Sequence, residues 1–198
     1  MPISPAPQLK ASMFGRMPVG GPKPAGGTPA AAPGMKGVRV EHRIGVQAPP
    51  EVIWELIRDV DGWSSWNPLY AKSSGSLHIG ETLDLEVVLP GMKPQAAKAT
   101  VLEWVPNEQL HYQTKGLGGL VRGTRYVEIE QLADESCIVS NGEIMGGFLG
   151  QRLAPSLGPK IYKAIRGMNE ALKEKAEAMW RARSGKEAPP HGELSRSG

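Results

Sequence analysis

The sequence offers little for a cross-link, a metal site or a membrane anchor. One of its 198 residues is cysteine, so no disulfide forms within the chain and no Cys-based metal spacing exists. Cys137 reads as a small apolar strand residue, compatible with a reduced compartment; the cytoplasm is the expected location. Histidines occur singly, as His42, His78, His111 and His191, without the clustering of a metal centre; no metal and no other cofactor is expected. No stretch approaches the roughly 20 apolar residues of a membrane span. That excludes stable membrane insertion and leaves transient membrane contact open. No dense Lys/Arg run marks a nucleic-acid surface. Gly-x-Ser-x-Gly is absent, which disfavours a hydrolase nucleophile, and Ser64, Ser65, Ser73 and Ser74 read as turn serines. Gly116-Leu117-Gly118-Gly119-Leu120 lacks the lysine and following helix of a phosphate loop.

Charge and composition divide the chain into three. Residues 1–37 hold Lys10, Arg16, Lys23 and Lys36, no acid, and eight of the 18 prolines. Such a segment buries too little apolar surface to offset its ordering entropy and is expected to be disordered. Its lack of acids suits a targeting peptide, but it has few arginines and no helical periodicity, and Pro22-Lys23-Pro24 is not a full P-x-x-P ligand. Any protein partner of this leader is unknown. Residues 184–198 form a second polar tail with balanced charge, which leaves a nearly neutral domain over 38–183.

That domain opens with Val38, Val40, His42, Ile44 and Val46 on one face and Arg39, Glu41 and Arg43 on the other, a half-buried strand. Pro50 then suits a first helical position and Glu51 the positive end of the helix dipole. Val52, Ile53, Leu56, Ile57 and Val60 recur at helical spacing until Asp61-Gly62 breaks the run. Three of the five tryptophans, Trp54, Trp63 and Trp66, lie here. Trp54 reads as an anchor of helix to sheet; Trp63 and Trp66 read as closing the end of the fold, with Trp66 the better candidate to touch a ligand.

Six strand-like runs follow, over about 70–78, 81–89, 96–105, 108–114, 122–132 and 136–145, separated by short polar breaks, as in an antiparallel meander. From about Pro159 to Arg183, Ile161, Ile165, Met168, Leu172, Ala176 and Met179 mark one apolar helical stripe. A helix of that length crosses a small domain.

Several polar residues stand out. His42 lies on an apolar strand face, as a satisfied core histidine or as a pocket group titrating near neutrality. His78 and His111 read as surface residues. Arg125 shares parity with Val127 and Ile129; it either points inward, where it can hold a carboxylate or ketone oxygen, or reaches solvent at an edge. In 136–145 either Cys137, Val139, Asn141, Glu143 and Met145 or Ile138, Ser140, Gly142 and Ile144 face inward; periodicity does not choose. If Glu143 is inside, burial raises its pKa and suits it to carry a proton. Gly116–Leu120 and Gly146–Leu149 read as flexible loops with packing anchors or as a hinged lid.

The order strand, two short helices, six strands, long helix resembles the helix-grip superfamily, which includes START-like domains and polyketide cyclase/dehydrase-like (SRPBCC) proteins. The residues that carry the resemblance are Ala48-Pro49-Pro50-Glu51-Val52-Ile53-Trp54, then Asp59-x-x-x-Trp63-x-x-Trp66-x-Pro68, then Met168-Asn169-x-x-Leu172-Lys173-x-x-Ala176-Glu177. It implies an α+β fold: about seven antiparallel strands curved around the C-terminal helix. Small strand residues (Ala97, Ala99, Gly123, Ser140, Gly142) would then leave a hollow for an apolar or amphipathic ligand such as a lipid, isoprenoid or polyketide. Its expected lining is His42, Trp66, Tyr70, Leu85, Val87, Tyr112, Arg125, Val127, Asn141, Glu143, Ile161, Ile165, Met168 and Leu172. Ligand carriage is the first expectation. The alternatives are a cyclase/dehydratase using Arg125, Glu143, Tyr112 or His42, and an interaction module recruiting a partner through the leader.

Overall fold

The computed structural model describes residues 37–185. The readings of the leader as disordered or partner-recruiting, and of the tail beyond Gly185, lie outside the described residues. Seven strands, β1 (Val38–Val46), β2 (Tyr70–Ser74), β3 (Thr82–Val87), β4 (Gln95–Val105), β5 (Gln109–Gly116), β6 (Val121–Ala133) and β7 (Ser136–Gly146), form one antiparallel sheet in the order β1-β7-β6-β5-β4-β3-β2. Bulges interrupt the register in β2, β4 and β6, and such extra residues bend and twist a strand. The long runs needed to span a sheet therefore curl into a half-barrel. Helix α1 (Pro50–Arg58) and a 3₁₀ turn (Trp63–Ser65) lie between β1 and β2, and α2 (Gly150–Ser184) follows β7. This is the helix-grip arrangement.

Helix α1 buries Val52, Ile53, Trp54, Leu56 and Ile57. It ends where Asp59 turns its carboxylate to the Gly62 N–H, and the buried Trp63 indole donates to the Ile57 carbonyl at 2.9 Å, satisfying an acceptor the helix end leaves free. Trp54 stacks on Trp104 of β4, ring centroids 6.4 Å apart, and so anchors the helix to the sheet.

Helix α2 has 35 residues, which at ~1.5 Å per residue makes roughly 50 Å. It begins at Gly150, nine residues before the predicted start at Pro159, and contains both Pro155 and Pro159. The two prolines sit one turn apart on the exposed face. The carbonyls that lose an N–H partner there face water, which lowers the usual cost of an internal proline. The helix also runs through Ser184, the first residue assigned to the tail. Ile161, Ala164, Ile165, Met168, Leu172 and Ala176 form its buried stripe.

Strand β7 presents Cys137, Val139, Asn141, Glu143 and Met145 to the concave side, where Asn141 meets Met168 and Asn169 of α2. Ser140 and Gly142 therefore lie on the convex side and do not enlarge the hollow. Gly142 pairs with Tyr126, whose hydroxyl occupies the space a Cβ would need. That hydroxyl accepts from Arg39 Nε and donates to Glu41, each at 2.6 Å. His111, read as a surface residue, is 4 % exposed. It lies on the convex face between Glu103 and Glu128, with the Tyr126 ring edge-on at 6.1 Å. Long neighbours on the two flanking strands, β4 and β6, cover a position that alternation alone marks as outward. Gly142→Ala is expected to lower stability by about 1–3 kcal/mol through overpacking against Tyr126. Chemical denaturation measures the loss, and ligand binding on the opposite face should not change.

Candidate functional site

Small side chains on the concave face and the N-terminal half of α2 leave a cavity of ≈ 350 Å³. Leu85, Val87, Leu89, Met145, Leu153, Leu157 and Ile161 form its apolar walls. Ala97 and Gly123 supply the room: a Cβ on Gly123 would lie 2.7 Å from Glu143 Oε1. Polar groups gather at one wall, namely Tyr70, Tyr112, Thr114, Arg125 and Glu143, and Lys115 and Arg122 border the mouth. Two larger, more open hollows, one of them adjoining the cavity at Leu85 and Ala96–Lys98, have no buried charged side chain in their lining.

Arg125 is the centre of the polar wall. It is 6 % exposed, yet it donates to Asn141 Oδ1 at 3.1 Å and to Glu143 Oε2 at 3.3 Å. Its Nε is buried with no hydrogen-bond partner in the protein. Cross-strand pairing explains the grouping, because Tyr112, Arg125 and Glu143 stand side by side on β5, β6 and β7. The Tyr70 and Tyr112 hydroxyls share a 2.5 Å hydrogen bond, and Trp63 stacks on the Tyr70 ring at 5.3 Å. Burial pushes both tyrosine pKa values up, so both hydroxyls stay protonated. Burial alone would lower the Arg125 pKa; neighbouring Tyr70, Tyr112 and Glu143 outweigh it and hold the guanidinium charged. For Glu143 burial outweighs Arg125 and moves the carboxyl above its ordinary value. The site thus combines a fixed cation, a pair of neutral hydroxyls that keeps one proton free to donate, and a carboxyl able to take up a proton.

The description "Polyketide cyclase / dehydrase and lipid transport" belongs to the family that matches residues 37–177, most of the chain. The chain belongs to that family. No curated protein sequence matches it. Among solved structures it is similar to the Zhui aromatase/cyclase of Streptomyces sp. R1128, at 16 % identity and TM-score 0.58, over 76 % of this chain and 99 % of that one. Norcoclaurine synthase of Thalictrum flavum, in complex with dopamine and hydroxybenzaldehyde, aligns at 16 % identity and TM-score 0.56, over 77 % and 89 %. A START superfamily protein of Mycobacterium smegmatis aligns at 19 % identity and TM-score 0.53, over 73 % and 98 %. These likenesses carry the fold.

Within this polyketide cyclase/dehydrase frame, the residues expected to line a cavity separate into three groups. Tyr70, Leu85, Val87, Tyr112, Arg125, Glu143 and Ile161 border it together. Asn141 stands behind Arg125 and links it to α2: Asn141 donates to Asn169, and Asn169 donates to the His42 carbonyl at 3.0 Å and ring Nδ1 at 3.1 Å. His42 is therefore a satisfied seam residue outside the cavity. Val127, Ile165, Met168 and Leu172 are buried in packing and do not border it either. Trp66 borders a different hollow, of ≈ 740 Å³, with Trp104, His78 and Met179 at the other half of α2. The tryptophan beside the polar wall is Trp63. Gly123 and Thr114 were legible from parity with Arg125 and Tyr112, whereas Leu153 and Leu157 belong to the unexpected first turns of α2. Among the described residues no three His, Cys, Asp or Glu side chains are gathered to hold a metal ion.

The raised Glu143 pKa has a sign that can be measured. A buried carboxyl that prefers its proton favours the folded state below the ordinary value, about 4.5, and that contribution is lost as pH rises through the folded value. Compared with Glu143→Gln, which never ionises, wild-type protein is expected to lose relative stability between pH 4 and neutrality. Denaturation midpoints of the two proteins across that range check the direction.

Proposed function

We propose that the protein binds and carries one small amphipathic molecule, a lipid, isoprenoid or polyketide, between sheet and α2. An oxygen of the ligand faces Tyr70, Tyr112 and Arg125, and its apolar body lies along Leu85, Val87, Leu153 and Leu157. The observation that carries this reading is the unpaired Arg125 Nε at one wall of an otherwise apolar cavity. A volume of ≈ 350 Å³ falls within the roughly 300–1,000 Å³ of ligand pockets. A guanidinium there donates to a carboxylate or a ketone oxygen, and the neutral tyrosine pair adds one more donor without adding charge.

Cyclase or dehydratase chemistry is the second reading, supported by Glu143, whose pKa burial raises, beside Arg125. Arg125 would polarise a ketone oxygen, and Glu143 would move a proton at the adjacent carbon.

Native mass spectrometry and solvent extraction of purified protein, followed by titration with a dansyl-labelled fatty acid, test the binding. A bound amphiphile is expected. Ala97→Trp, which fills the cavity, should weaken the probe by about tenfold or more. No extracted ligand, and probe binding indifferent to Ala97→Trp, would falsify the carrier reading. Turnover of a poly-β-ketone that Glu143→Gln abolishes while binding persists would favour the enzyme.

A further inference from the structure

The rim of the cavity combines two features that nothing in ligand binding requires. The first is exposed apolar surface at the tips of two touching loops. Leu120, beside the Leu117–Gly119 turn, is 49 % exposed, and Phe148, between β7 and α2, is 74 % exposed. The loops are joined by the Leu149 N–H donating to the Leu120 carbonyl at 3.1 Å. Gly147 allows that approach: its φ is +85°, and a Cβ there would lie 2.5 Å from the same carbonyl. The tips are therefore held side by side.

The second feature is charge of one sign. No acidic residue occurs between Glu108 and Glu128, or between Glu143 and Glu170, the two segments that build this rim. Lys115, Arg122 and Arg152 are exposed and none forms an ion pair with a described residue. Arg152 lies over the Phe148 ring, 5.4 Å from its centroid, so cation and apolar tip form one unit. Several cations elsewhere on the surface are matched, Arg43 with Glu130, Lys72 with Glu86, Lys98 with Asp84, and Arg183 with Glu55, whereas Arg58, Lys93 and Lys163 form no ion pair with a described residue; what sets the rim apart is unpaired cations beside exposed apolar tips.

We propose that this rim docks on an anionic lipid bilayer, with Leu120 and Phe148 in the interfacial layer and Lys115, Arg122 and Arg152 against the headgroups. Apolar side chains flanked by cations bind such interfaces, each signal supplying part of the attraction. Charge complementarity selects the anionic surface, and the apolar tips select a bilayer over an acidic protein. Val121, Arg122, Gly150 and Leu153 line both rim and cavity, so docking faces the cavity mouth toward the membrane. Ligand exchange with the bilayer rests on the proposed carrier role; the docking itself does not.

The full chain is tested by co-sedimentation with vesicles of phosphatidylcholine and with vesicles containing about 30 % phosphatidylglycerol. Binding to the anionic vesicles is expected, weaker by about tenfold on neutral ones and in about 0.5 M salt. The double variant Leu120→Ser, Phe148→Ser should lose about tenfold on anionic vesicles, with an unchanged thermal transition and unchanged binding of the dansyl fatty acid. No binding to anionic vesicles, or binding indifferent to the double variant, overturns the inference even where the fatty acid binds. Salt-sensitive binding to polyglutamate at equal strength by both proteins marks a general acidic partner and also overturns it. Vesicle binding without fatty-acid binding leaves the docking intact and removes the carrier reading.

Discussion

A guanidinium enclosed by a sheet has to be neutralised where it stands, and Arg125 organises much of the domain for that reason. Leaving such a charge unpaired costs several kcal/mol, so its partners are as constrained as the arginine itself. Glu143 supplies the countercharge and Asn141 a carbonyl oxygen. Asn141 passes its own amide protons to Asn169, which closes on His42. One hydrogen-bonded path therefore runs from β6 through β7 to α2 and β1. The helix is held on the sheet by a polar seam inside an apolar interface, which specifies its position in a way that aliphatic packing alone does not.

The cavity is a consequence of that arrangement. Around Met168 and Leu172 the helix packs densely on the sheet, whereas around Leu153 and Leu157 it spans Ala97 and Gly123 and leaves space. Tyr70 and Tyr112, backed by Trp63, close the polar side. The convex face has its own polar layer, the buried His111 and Tyr126 with the half-buried Glu41 and Glu128. The sheet is thus structured on both sides, and its polar groups fall into two sets separated by one backbone layer.

The two halves of α2 also differ in surroundings. The N-terminal half borders the cavity and an acid-free, apolar-tipped rim; the C-terminal half borders an open hollow with Trp66, Trp104 and His78. Membership of the polyketide cyclase/dehydrase and lipid transport family fits either a carrier or an enzyme built on this frame. The buried cation beside a carboxyl whose pKa burial raises is the feature on which those two readings divide.

Alternation and helical spacing sufficed for the element order, for α1, and for the shared parity of Arg125 with Val127 and Ile129, because those periodicities are properties of single segments. The inward face of β7 was not legible, since both of its parities carry apolar and polar residues; contact with Asn169 decided it. Cross-strand neighbours likewise buried His111 and placed Gly142 under Tyr126, which no single strand encodes. Pro155 and Pro159 concealed the first turns of α2, and with them Leu153 and Leu157. The sequence by itself determined which side chains lie on the same face of each element. Only the tertiary structure decided which face is inside, and which of the inward residues meet empty space rather than one another. Face is a local periodicity, whereas a cavity is a mismatch between elements far apart in the chain.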